Sequence, residues 1–398
     1  MSLAAGLQGF TQAGLAGFNS VLHQMVDNGK LANVVSLVSH HGQIVNRDAY
    51  GVLDISAVPT VPAQTDSIFR IASMTKPITG AAMMILWEEG KWKLDDPVAK
   101  HIPEFKDLQV MTTGTPSTVA QGTPMTMDQL MSHTAGFGRS GEYTNANITL
   151  RDGDLQAMID VLAQHPLYYQ PGKEWRYGPS VDIQGYLVEK LSHQSLDVFF
   201  RERLFTPLRM PDTGFWVPPA DAARVSRIHT YDANRTLIPA GARNTVVTSK
   251  PTFLAGGGGL MSTVTDYWRF AQMILNGGEL DGVRILQPET VKLMHTDVLE
   301  PGVEVTLYSP DTKGLGFGLD FAILEDPGLA KTNQGVGSFY WGGAFGTWFW
   351  IDPVNELIVI GFIQNLDGTT PDGAPDVREA SAKAIYAALE GNKTTSRL

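Results

Sequence analysis

The sequence predicts an α/β protein of the α+β kind, in which one antiparallel sheet is flanked by helices and interrupted by an inserted, mainly helical domain. Three observations predict it. A helix and two apolar strands open the chain, two apolar strands and a helix close it, and helical periodicity dominates between about residue 80 and residue 245. Helix-strand-strand at one end and strand-strand-helix at the other are complementary halves, since each small sheet needs a partner to bury its apolar faces. The expected organisation is therefore a split α/β domain, residues 1–80 and 245–398, around a helical domain, residues 81–244, with an active site in the cleft between them.

In chain order, Phe10 to Asn28 form an amphipathic helix, because Leu15, Phe18, Leu22 and Met25 recur on one face. Val34–Ser39 and Ile44–Tyr50 follow as strands around the turn His40-His41-Gly42-Gln43. Ser67-Ile68-Phe69-Arg70-Ile71-Ala72 is an extended apolar lead-in to a helix in which Ile78, Ala81, Ala82, Ile85 and Leu86 repeat at helical spacing. Pro77 suits the first turn of that helix, where its missing N–H does no harm, and Gly90 followed by Lys91 ends it. Leu155–Gln164, Val181–Ser192 and Leu196–Leu204 are the next helices, and Thr112–Pro124 is one of the loops rich in Gly, Pro and Thr between them. Gly256–Gly259 is a tight turn toward a helix from Val264, and not a phosphate loop, because no Gly-Lys-Ser/Thr follows. Trp348–Ile351 and Leu357–Ile363 form the second strand pair around Asp352-Pro353-Val354-Asn355, and Val377–Leu389 is the closing helix.

Composition narrows the function. A hydrophobic content of 43% and a charged content of 18% are those of a globular protein with a sizeable core. A net charge of −11 argues against nucleic acid or an anionic membrane as partner, since both require basic patches. There is no apolar run of about eighteen residues to span a bilayer. No Lys or Arg precedes Lys30, which argues against a secretory signal, and the expected location is cytoplasmic. The chain has no cysteine, so disulfides, thiol nucleophiles and thiolate metal sites are excluded. No His-Glu-x-x-His or similar zinc spacing occurs, and Gly314–Gly318 lacks the third glycine spacing of a dinucleotide site; no cofactor is expected.

The chemistry centres on Ser73-Met74-Thr75-Lys76, the chain's one Ser-x-x-Lys. A serine hydroxyl is a poor nucleophile until a base takes its proton, and a side chain three residues on lies on the same helical face. About one such tetrapeptide is expected by chance in a chain this long, so its weight comes from context. A simple helix cap at Ser73 with a solvated Lys76 would carry the same letters. At a helix mouth, however, free N–H groups and the helix dipole favour developing negative charge. Tyr177, in the turn-rich loop Pro171–Ser180, falls outside any apolar periodicity and could share a proton with Lys76 and Ser73, or could pack in the core. Trp341-Gly342-Gly343 opens a strand, where glycines would let the backbone approach a ligand. Tight packing at a sheet edge is the other use of such glycines. His133 lies in a turn and is read as structural.

These three stretches resemble, in order and approximate spacing, the serine β-lactamase/penicillin-binding fold. The chain is similar to class C β-lactamases and, more closely, to the family VIII carboxylesterases that share their fold. Leu130–Gly136, Leu94-Asp95-Asp96-Pro97 and Gly256–Thr263 support the resemblance, which spans roughly residues 15 to 390. It implies an acyl-enzyme on Ser73, Lys76 and Tyr177 as the proton path, and an oxyanion hole from the backbone N–H groups of Ser73 and Ala344. Trp341, Gly342, Gly343 and Phe137 would bind substrate. The absence of Gly-x-Ser-x-Gly excludes the α/β-hydrolase route to the same reaction.

Two departures bear on the substrate. The lactamase Tyr-x-Asn has Pro179 in place of its amide, and the lactamase Lys-Thr-Gly has Trp341 in place of its cation. Both changes weaken recognition of anionic β-lactams, and the tryptophan is expected to offer a flat apolar wall. The leading expectation is a serine esterase for short-chain carboxylic esters, with at most weak β-lactam hydrolysis. A β-lactamase or D-amino-acid peptidase, and a penicillin-recognising protein that acylates without turnover, are the competing readings. The partner is a small-molecule ester, and nothing in the sequence sets the oligomeric state.

Overall fold

The computed structural model describes residues 9–112, 117–306, 313–366 and 376–395. Its centre is a seven-stranded antiparallel sheet with the order Leu315–Phe317, Ala322–Leu324, Phe339–Gly342, Trp348–Asp352, Leu357–Phe362, Asn33–His40 and Gln43–Gly51. The two ends of the chain meet in its middle: Val35 pairs with Phe362 and His40 with Leu357. Both faces of the sheet are covered, so the central strands Trp348–Asp352, Leu357–Phe362 and Asn33–His40 are buried along their whole length rather than in alternation. Val35, Leu37, Ile358 and Ile360 point into one core with Phe349, Tyr267 and Phe270, whereas Val34, Val38, Leu357 and Val359 point into another with Trp348 and Trp350. Helix Val264–Leu275 covers the first face, and helices Gln12–Asp27 and Val377–Thr395 pack together over the second. The Gln43–Gly51 strand at one edge carries Asn46, Arg47 and Asp48, charged and polar residues that discourage further pairing.

Local signals place most boundaries within a residue or two of expectation. Thr11 caps the first helix by accepting from Gly14 N–H at 3.0 Å, which shifts its start from Phe10 to Gln12. The helix that carries Lys76 runs from Thr75 to Glu88 and is buried from Thr75 to Leu86, with Gly90 in the left-handed region (φ 70°) after its end. It packs against the helix Ser180–Ser192. Three differences stand out. Leu196–Leu204 is not one regular helix: an α segment, Leu196–Phe200, passes into a π turn, Arg201–Phe205. The last helix continues past Gly391 to Thr395. Within the Thr112–Pro124 segment, Thr118–Val119 pairs with Val110–Met111 as a short ribbon, and residues 113–116 lie outside the described residues.

Candidate active site

Ser73 does not sit at the mouth of a plain α-helix. It is the middle residue of a single 3-10 turn, Ala72–Met74, that feeds the Thr75–Glu88 helix. Ala72 enters the turn at φ 44°, a left-handed conformation that a non-glycine residue adopts only when its surroundings hold it. Those surroundings are specific. Thr75 Oγ1 donates to Ala72 O at 2.7 Å, and the buried Tyr267 hydroxyl donates to Met74 O at 2.9 Å. Thr347 Oγ1 donates to Ile71 O at 3.1 Å. The turn is thus clamped from its own helix, from the Val264–Leu275 helix and from the sheet.

Lys76 is 5% exposed, and its Nζ lies 3.2 Å from Ser73 Oγ. The same Nζ donates to Gly257 O and stands 4.5 Å from the centre of the Tyr177 ring. Tyr177 accepts at its hydroxyl from Trp341 Nε1 at 3.3 Å, and its ring packs among Trp175, Trp341 and His133. Its loop is fixed by the His133 turn, whose carbonyl accepts from Arg176 N–H at 3.0 Å and from the Tyr169 hydroxyl at 3.1 Å. His133 has φ 62°, and its imidazole is wholly buried. Burial, with the Lys76 cation adding to it, pushes that imidazole well below its usual range, so His133 is neutral.

A cavity of about 720 Å³ opens over these groups, lined by Ser73, Lys76, Tyr177, Ala344, the Gly257-Gly258 turn and the Tyr143–Arg151 wall. Volumes of this order hold small molecules. Ser73 and Ala344, the two expected oxyanion donors, line it together. Their approach depends on Gly343: a Cβ there would collide with Thr347 Oγ1 and Ile71 O, so the strand end and the serine turn meet backbone to backbone.

Four expected substrate contacts fall elsewhere. Trp341 is 3% exposed and packs against Phe317, because strand alternation puts it on the same inward face as Phe339. It is not a wall of the cavity but a donor to Tyr177. Phe137 is buried against Phe105 and does not line the cavity. Gly342 faces the Arg378 guanidinium and Gly343 faces Ile71 and Thr347, so both glycines admit protein atoms rather than a ligand.

Several polar residues of the site escape a reading of the sequence. Asp182 and Arg151 form an ion pair at 2.8 Å on the cavity wall, with only 7% of the Asp182 side chain exposed. An acid in the first turn of the Ser180–Ser192 helix looks like an ordinary dipole partner, which hides its inward orientation. Asp320, fully buried, accepts from Gln184 Nε2 at 3.2 Å, and burial pushes its carboxyl well above the usual range. No sequence motif marks it. Among the described residues no group of His, Asp and Glu could hold a metal ion, and no helix is long and apolar enough to cross a membrane.

A buried Ser-x-x-Lys turn facing a tyrosine loop, beside an antiparallel sheet built from both chain ends, is the arrangement of the serine β-lactamase and penicillin-binding fold. The chain belongs to the Beta-lactamase family, whose profile matches residues 18–384. Protein Rv1367c of Mycobacterium tuberculosis is 34% identical over 96% of this chain and 95% of its own length. Esterase EstB of Burkholderia gladioli is 30% identical over 87% of this chain and 89% of its own. Among solved structures, EstCE1, described as a hydrolase with promiscuous acyltransferase activity, superposes with a TM-score of 0.79 at 25% identity, covering 94% of this chain and 99% of that one.

Proposed function

We propose that this protein is a family VIII-type serine carboxylesterase that hydrolyses short-chain esters through an acyl-enzyme on Ser73. The observation that carries the reading is the 3.2 Å contact of Lys76 Nζ with Ser73 Oγ at the floor of a cavity whose neighbouring tyrosine is held by Trp341. Ser73 Oγ attacks the ester carbonyl carbon while its proton passes to the Lys76–Tyr177 pair. The carbonyl oxygen, now an anion, accepts the N–H groups of Ser73 and Ala344; such donors are typically worth about 3–4 kcal/mol in the transition state. The tetrahedral intermediate collapses, the C–O bond breaks, and the pair returns the proton to the departing alkoxide. Water then attacks the acyl-serine by the same proton path, releasing the acid and restoring Ser73.

The choice of neutral esters over anionic β-lactams rests on the third motif. Where a lactamase places a cation, this chain has a buried indole that points at the tyrosine. Ile148, Leu150, Pro179 and Phe345 add apolar surface to the cavity. Similarity to an esterase over most of both chains supports the same reading. The test compares steady hydrolysis of p-nitrophenyl acetate and butyrate with that of nitrocefin, in the native protein and in Ser73→Ala. Turnover of the esters, loss of it in Ser73→Ala, and one fluorophosphonate group attached to Ser73 are expected. Faster turnover of nitrocefin than of either ester would make it a lactamase, and a stoichiometric burst without turnover would make it an acyl acceptor only.

A further inference from the structure

Gly257 joins two parts of the site that no sequence motif connects. Its carbonyl accepts Lys76 Nζ, and its N–H donates to Asp182 Oδ1 at 2.7 Å. The other oxygen of Asp182 accepts Arg151 Nη2 at 2.8 Å. The turn that carries Gly257 is seated without slack: a Cβ on Gly257 would stand 3.0 Å from Asp182 Oδ1, and one on Gly256 would stand 2.7 Å from Val181 O. Thr79 Oγ1 donates to Gly256 O at 2.7 Å, which ties the turn to the helix of Lys76 as well. Asp182 itself is 5% exposed, whereas the Arg151 side chain is 56% exposed and lines the cavity.

We propose that Asp182 is a positioning residue for Lys76, acting by holding the backbone turn at Gly257, with Arg151 as its counter-charge; the proposal rests on Ser73 and Lys76 being the nucleophile and its proton partner. The N–H and the carbonyl of Gly257 belong to successive peptides, so the carboxylate acts by anchoring the turn. With Gly257 N–H held by Asp182 and Gly256 O held by Thr79, the next carbonyl, Gly257 O, has a fixed direction. That carbonyl fixes the direction of the Lys76 ammonium stem and so keeps Nζ on Ser73. The charges act on the same group. Lys76 meets Tyr177 and Ser73 in the cavity, lies within electrostatic reach of His133 and Asp320, and is linked to Asp182 and Arg151 through Gly257. Burial holds His133 and Asp320 toward their neutral forms, whereas Asp182 and Arg151 form an ion pair bonded to the Gly257 turn. Removing the acid and removing the guanidinium change the charge beside the proton path with opposite signs, so the two substitutions should move the pH dependence of the rate in opposite directions.

The experiment measures kcat and KM for p-nitrophenyl acetate against pH, and the rate of Ser73 labelling by a fluorophosphonate, in the native protein, Asp182→Asn and Arg151→Gln. Asp182→Asn is expected to lower kcat and the labelling rate by about tenfold or more, as loss of a partner that orients a functional group does, with KM little changed. Its rising limb of kcat/KM should move to lower pH, and that of Arg151→Gln to higher pH, each by about half a unit or more. Limbs that stay in place, or that move in the same direction, overturn the proposal. If Asp182→Asn does not fold, Arg151→Gln, a change at a half-exposed side chain, decides alone by the same criterion. Failure of the native protein to hydrolyse the ester and to label at Ser73 would instead overturn the nucleophile assignment, and this proposal with it.

Discussion

Trp341 keeps the Tyr177 hydroxyl in place by donating its indole N–H at 3.3 Å. Trp341→Phe retains an aromatic ring in the slot and removes only the donor. We expect kcat/KM for a short ester to fall about five- to tenfold, the worth of roughly 1 kcal/mol for one hydrogen bond, with the fold intact by circular dichroism. An unchanged kcat/KM would mean that the contact does not orient the tyrosine during turnover. Trp341→Lys should not create a carboxylate-binding site, because it would force a cation into a position that is 3% exposed. In the proposed mechanism Lys76 and Tyr177 serve one proton path, and Nζ lies 4.5 Å from the ring centre. Lys76→Ala and Tyr177→Phe should each cost on the order of 10²-fold or more in kcat. The double variant should lose far less than the product, since the second change removes a group that has already lost its partner. Full additivity in this cycle would show two independent routes to an activated serine.

Two elements set the frame within which those residues act. The strand Phe339–Gly342 ends at Gly343, where a Cβ would meet Thr347 Oγ1 and Ile71 O. Gly343→Ala must therefore push the strand end away from the serine turn. The expected cost is about 1–3 kcal/mol in urea unfolding, typical of overpacking, together with a drop in kcat as Ala344 leaves Ser73. A drop in kcat with no loss of stability would contradict the clash. The second element is the Val264–Leu275 helix that backs the site. Its Asp266 accepts from Asp212 N–H and Thr213 Oγ1, and burial pushes its carboxyl from 3.8 up to about 6. A carboxyl raised on folding binds protons more readily in the native than in the unfolded state, so its stabilising contribution is lost as pH rises from about 4 through 6. At pH 8 the buried charge costs about 3 kcal/mol by this reckoning. Asp266→Asn should raise the melting temperature relative to the native protein at pH 8 and gain little at pH 4.5. An equal difference at both values would rule out this titration.

On the scale of the whole molecule, the two chain ends hold each other. Trp348, Trp350, Val34, Val38 and Val359 share one core with Leu15, Phe18 and Leu22 of the first helix and Ile385 and Leu389 of the last. Ending the chain at residue 376 would uncover that face of the sheet and leave the first helix without its neighbour. The truncated protein is expected to lose most of its soluble yield, and any soluble fraction should show red-shifted tryptophan emission from the exposed Trp348 and Trp350. Native-like emission and activity would mean that the sheet closes without this helix.

The shared sheet was legible because the two chain ends carry complementary halves that must bury each other's faces. The order of helices and strands and the Ser73–Lys76 pair were legible because each is written in a short window. Apolar spacing in Asn33–His40 or Thr75–Glu88 records which faces water never touches, and three residues of helix suffice to bring Lys76 under Ser73. The π turn at Arg201–Phe205 and the three-residue strand Leu315–Phe317 carry too few residues for a period to register. The direction in which Trp341 faces, the backbone contact that Gly343 permits and the Asp182–Gly257–Lys76 chain were decided by tertiary structure alone. Gly257 meets Asp182 across 75 residues and Lys76 across 181, so no local pattern could encode those bonds. Periodicity states that a side chain is buried, but only the meeting of distant backbones determines what it is buried against.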